Sequence, residues 1–95
     1  MPEMRFSVRW PDGSREECYS PSLVIKDYFA PGVSYPLDDF VARSREALNI
    51  ASDRVKARYG FACSLALGQL VRIEAAATRF ASIDGAEVRV ETFQE

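Results

Sequence analysis

This chain contains no histidine, so its candidates for chemistry are two cysteines, Cys18 and Cys63, and two adjacent carboxylate pairs, Glu16 with Glu17 and Asp38 with Asp39. Cysteine reacts as its thiolate, and without a neighbouring histidine a helix N-terminus is the usual means of lowering the thiol pKa. Cys63 falls where a helix is expected to begin, which makes it the candidate nucleophile or ligand. The competing reading is structural: buried free cysteine packs as a small hydrophobe, and Cys63 lies in a tight turn between Ala62 and Ser64 while Cys18 lies in a short polar strand. Neighbouring side chains point to opposite faces of a strand and diverge by about 100° on a helix, so neither carboxylate pair converges well on one cation. Asp38 and Asp39 are better explained by the positive end of a helix dipole.

The missing histidine excludes Ser-His-Asp and Cys-His catalysis and His-ligated metals. A structural zinc takes four ligands, and two cysteines supply only half of them in one chain, so only a site shared between two chains could complete one, the last-ranked of the readings. The glycines match neither phosphate-loop nor dinucleotide-binding spacing. No catalytic constellation, cofactor or metal is therefore expected. With 12 basic and 14 acidic side chains in 95 residues, the net charge of −2 lacks the surplus that phosphate binding uses, so no nucleic-acid partner is expected. No stretch approaches 18 consecutive apolar residues and the N-terminus has no signal-like pattern, which predicts a cytoplasmic protein with no membrane partner and reduced thiols.

Positioning these residues falls to a handful of elements. Met4, Phe6, Val8 and Trp10 alternate with Arg5, Ser7 and Arg9, the period of a half-buried strand over 4–10. Pro11-Asp12-Gly13 is a turn, and a second strand is expected over 14–19. Ser20-Pro21 reads as an N-cap and first helical residue, predicting a short helix over 21–28. After a turn at Ala30-Pro31-Gly32, a further start at Ser34-Tyr35-Pro36 opens a long helix over 36–59, with Leu37, Phe40, Val41, Ala47, Leu48, Ala51, Val55 and Tyr59 on its apolar face. Lys56, Arg58 and Gly60 mark its end. At about 36 Å it must bend, break or run past the edge of so small a protein.

A third helix over 63–81 should bury Leu67, Leu70, Val71, Ile73, Ala77 and Phe80 and leave Gln69 off that face, its alanines allowing close approach of the long helix. Ala86, Val88, Val90 and Thr92 then alternate in a last strand over 86–92, whose Glu87 and Glu91 can pair with Arg5 and Arg9 if the first and last strands are neighbours. The expectation is a single two-layer α+β domain over residues 1–95. Its element order is ββαααβ: a three-stranded, mainly antiparallel sheet with an antiparallel helical hairpin on one face.

Five aromatics, Tyr28, Phe29, Tyr35, Tyr59 and Phe61, fall at helix ends and connections, where they either close the helical layer or form a protein-binding surface. The stretches MPEMRFSVRWPDG, CYSPSLVIKDYF, YPLDDFVARSREAL and YGFACS, nearly end to end, resemble a family of small bacterial nitrogen-starvation-response proteins. The resemblance implies a genetic context: a nitrilase gene cluster that also encodes a radical SAM protein, an acetyltransferase and a flavoprotein, linked to nitrogen scavenging from nitriles or cyanide. It carries over no catalytic residues. Two functions are open on these grounds. One is a non-enzymatic accessory that binds itself, a dimer being favoured, and an enzyme of the nitrilase cluster; the other is a protein that handles a small reactive nitrogen compound through Cys63.

Overall fold

In the computed structural model, which describes residues 2–95, the alternating N-terminal segment forms β1 (Met4–Arg9) and pairs antiparallel with β2 (Arg15–Ser20). Met4, Phe6, Val8 and Trp10 are buried. In the connecting turn Gly13 takes a φ of 87°, open to glycine, and its N–H donates to the Trp10 carbonyl at 2.8 Å. β2 is less polar than its sequence suggests, because Cys18 and Ser20 turn inward and are fully buried.

The next segment departs from expectation. The helix predicted over 21–28 is a single turn, α1 (Ile25–Tyr28), and Ser20 is the last residue of β2 instead of an N-cap. The Ser20 hydroxyl donates to the Ser22 carbonyl at 2.7 Å and accepts the Ser22 N–H at 3.2 Å, so this serine serves a local turn. Ser34-Tyr35-Pro36, expected to start a helix, belongs to β3 (Val33–Pro36). The sheet therefore has four strands and not three, in the order β2-β1-β4-β3, where β4 spans Glu87–Gln94, and the element order is ββαβααβ.

The first and last strands are neighbours, as expected, and pair antiparallel. Val8 lies opposite Val90 but Ser7 opposite Thr92, so Glu91 is one residue too many for β1 and forms a bulge. Beyond it the inward set switches from even to odd positions: Phe93 packs on the core opposite Phe6, and Thr92, expected to face inward, is exposed. The bulged Glu91 carboxylate accepts from Arg15 Nε at 2.8 Å and Arg9 Nε at 3.4 Å. The other expected cross-strand pairing does not form, because Arg5 lies opposite Gln94 and Glu87 opposite Pro36.

α2 (Leu37–Tyr59) and α3 (Ser64–Thr78) form the expected antiparallel hairpin, tied by Arg45 Nη2 to Glu74 at 2.7 Å and by the Cys63 N–H to Ser52 Oγ at 3.1 Å. α2 stops where expected: Gly60 is left-handed and donates its N–H to the Lys56 carbonyl at 2.8 Å. α3 is shorter than predicted, ending at Thr78, after which turns carry Phe80 back onto Trp10 with 5.9 Å between ring centroids. The face of α3 also differs from expectation. Gln69 is only 2% exposed while Val71 is 63% exposed, and Leu67 is exposed as well. Alanine, leucine and valine surround so much of this helix that its pattern does not single out one buried side.

The core is an aromatic seam. Phe40 of α2 meets Trp10 edge-on at 5.6 Å and Phe29 at 5.2 Å, and Phe29 stacks on Phe6 at 6.3 Å. Ala47, Leu48 and Ala51 continue the buried side of α2, whereas positions 53–60 are exposed except for half-buried Val55. The molecule measures 41 × 22 × 18 Å, and a helix of about 33 Å fits only along its longest dimension, so the end of the hairpin runs past the sheet.

Two outcomes follow. Phe40→Ala removes the ring shared by sheet and helix and should cost about 3–5 kcal/mol in denaturant unfolding, a large share of what so small a chain can hold. For Glu91, burial opposes ionisation but the Arg15 and Arg9 guanidiniums outweigh it, holding its pKa below the ordinary glutamate value. Its stabilising contribution is thus present above the unfolded-state pKa and lost as pH falls through the lower folded-state pKa. Wild type should exceed Glu91→Gln in thermal stability at neutral pH, and the difference should vanish in acid.

Candidate interaction surface

The two cysteines have different surroundings. Cys18, opposite Phe6, is wholly buried, and desolvation, reinforced by the charge of Glu16, pushes its thiol pKa up. Cys63 is half-buried at the N-cap position of α3, where its carbonyl accepts the Leu67 N–H at 3.1 Å and its own N–H is held by Ser52. These are backbone bonds: they fix the helix start and do not involve the thiol. The carboxylate pairs are divided among other tasks. Glu16 accepts Trp10 Nε1 at 3.0 Å, Asp38 accepts the Asp39 N–H at 2.9 Å, and Asp39 accepts Arg43 Nε at 2.9 Å.

The five candidate aromatics separate into two groups. Phe29 is buried in the seam, and half-buried Tyr35 meets it edge-on at 5.1 Å and accepts the Ala30 N–H on its hydroxyl at 2.8 Å. Arg43 lies over the Tyr35 ring and donates to the carbonyl of half-buried Tyr28 at 2.8 Å, so these three aromatics close one end of the core. Tyr59 and Phe61 lie at the other end of α2, about 24 Å along the helix from Arg43, and are 53% and 68% exposed.

Leu65, Leu67 and Val71 adjoin this second group and are exposed too. Sequence reasoning assigned Leu67 and Val71 to the core and did not single out Leu65. The signal that marks them is charge: Arg72 and Glu74 are the two charged residues in the 15 of α3, too few for a helix with one wet face. Gly68 and Ala75 lie on the same outward side, so that side is low in relief between Leu67 and Val71.

At the sheet end of the hairpin is a groove of about 750 Å³, lined by Leu37, Val41, Ala77, Ala81, Ile83 and Ala86, with the Arg45–Glu74 ion pair in its wall. On the far flank of α3, Gln69 Oε1 accepts the Tyr19 N–H at 3.1 Å and Arg72 Nη2 at 3.3 Å, leaving Nε2 buried without a partner. Tyr19 donates its hydroxyl to Glu3 at 2.9 Å; desolvation and that bond push its pKa up to about 12. The arrangement offers apolar surface at both ends of a helical hairpin and an apolar face between them.

The thiols provide a check on this geometry. In native protein, a disulfide reagent should modify Cys63 with Cys18 remaining protected until denaturant is added, as peptide mass mapping over time would reveal.

The family model described as nitrogen starvation-induced protein NitG matches residues 5–93. No curated protein and no solved structure matches the chain. Among the described residues, no helix is long and apolar enough to cross a membrane.

Proposed function

The chain belongs to the nitrogen starvation-induced protein NitG family, and from that membership we propose that it is a non-enzymatic accessory of the nitrogen-starvation response that works through protein contacts in the cytoplasm. Its partners are a second copy of itself and an enzyme of the nitrilase gene cluster, in the service of nitrogen scavenging from nitriles or cyanide. The observation that carries this reading is the exposure of Phe61, Leu65, Leu67 and Val71 on and beside a helix that has only two charged residues. Large apolar side chains exposed in this number are costly to leave in water and mark interaction sites. Cys63 does not favour direct chemistry on a reactive nitrogen compound, since its hydrogen bonds run through its backbone and serve the helix start.

Affinity purification from nitrogen-starved cells, read by quantitative mass spectrometry, tests the reading. The wild-type chain should enrich an enzyme encoded in the nitrilase cluster, and Leu65→Asp should reduce that enrichment about tenfold, the effect of losing one good interface anchor. Equal enrichment by both, or none above an untagged control, would overturn the enzyme partnership.

A further inference from the structure

We propose that a second copy of this chain packs antiparallel on the outer face of the α2–α3 hairpin, across a twofold axis, with the Phe61 end of each copy seated at the groove of the other. This deepens the interaction reading above, on which it rests, by naming the face and the partner.

Three features point to one axis. The first is charge on α2. Asp38 and Lys56 are both exposed and are eighteen residues apart, about five helical turns, which puts opposite charges at the two ends of one stripe on the outer side of the helix. When two such helices run antiparallel, Asp38 of one lies over the partner's Lys56 if the axis passes the midpoint of that pair, Ala47.

The second feature is the level of that axis on α3. Arg45 meets Glu74 and Ser52 meets Cys63 across the hairpin, so Ala47 is level with the stretch from Gly68 to Arg72. The axis placed by the charges of α2 therefore crosses α3 within a stretch whose exposed apolar residue is Val71. Val71 then meets the partner's Val71, and Leu67 is brought opposite the partner's Ala75, a large side chain against a small one. Glu74, already neutralised by Arg45, brings no net charge to the contact.

The third feature lies at the ends. The same operation carries Phe61 to the level of the partner's Ala81, which lines the groove with Ile83. An exposed ring at one end of the hairpin and an apolar groove at the other are thus exchanged in pairs, as a self-complementary twofold contact requires. The size is of the right order: a layer two helices wide, about 20 Å, over the roughly 27 Å from Asp38 to Lys56 gives about 540 Å² in flat projection, which side-chain relief and the Phe61 ends enlarge. Stable interfaces take about 800 Å² of accessible surface per partner.

Sedimentation equilibrium on the full chain, over a dilution series, should give twice the 10.7 kDa chain mass. Asp38→Lys and Lys56→Asp should each weaken the dimer about tenfold, and the two together should restore it to within about threefold, a rescue that general loss of folding does not produce. Val71→Asp should leave a monomer whose circular dichroism and melting match the dilute wild type. A wild-type chain that stays monomeric, a dimer indifferent to Val71→Asp, or a double charge reversal weaker than both single ones would overturn the proposal. A monomeric wild type that still enriches a cluster-encoded enzyme would overturn the self-pairing alone, whereas a dimer with no enzyme enriched would support the self-pairing and remove the enzyme.

Discussion

The contact on which the structure depends is the meeting of Phe40 with Trp10 and Phe29. These rings come from the long helix, the end of the first strand and the segment after the one-turn helix, so three pieces distant in sequence are fixed at one point. Phe6 extends the seam into the sheet, and Phe80 returns to it after the hairpin. Aromatic rings bury large areas and favour particular angles, so a seam of them sets orientation as well as adhesion. It holds the N-terminal half of α2 on the sheet, and the helix, being longer than the layer beneath it, projects.

That projection shapes the rest of the molecule. The buried side of α2 changes from Phe40, Ala47 and Leu48 over the sheet to exposed positions beyond Ser52, and α3 is left with apolar residues on more sides than the protein can cover. The groove and the exposed tip are the two ends of the same mismatch between helix length and sheet length. A small chain that spends so many residues on a hairpin has few left to enclose a pocket, and what it gains is an accessible flat face.

Much of this was legible in the residues, and the failures have identifiable causes. The period-two alternation of β1, the Asp12-Gly13 turn and the glycine stop of α2 rest on local patterns strong enough to decide the outcome, whereas the adjacency of β1 and β4 was signalled by opposite charges on the two strands, of which Arg9 and Glu91 do meet. β3 was missed because Tyr35-Pro36 serves equally as the end of a strand and the start of a helix, and pairing with β4 settles which. The parity switch at Glu91 depends on the register of a partner strand, which no single segment contains. At the surface, the five aromatics are alike in type and in placement at element ends. Their division into a closed group and an open one follows from the length of α2, and the exposed leucines of α3 were disguised by the uniformity of their neighbours.

The bond from Gln69 to the Tyr19 N–H has a consequence for how copies of this chain can meet. Tyr19 lies on an outermost strand, and its N–H is one of the groups that would accept an added strand from another molecule. A side chain from the helical layer already occupies it, while the opposite margin of the sheet is four residues long and finishes in Pro36, which has no N–H to offer. Growth by sheet extension, the route to open-ended fibres, is obstructed on both margins. An added strand would have to displace Gln69 at one margin and find no donor at Pro36 on the other.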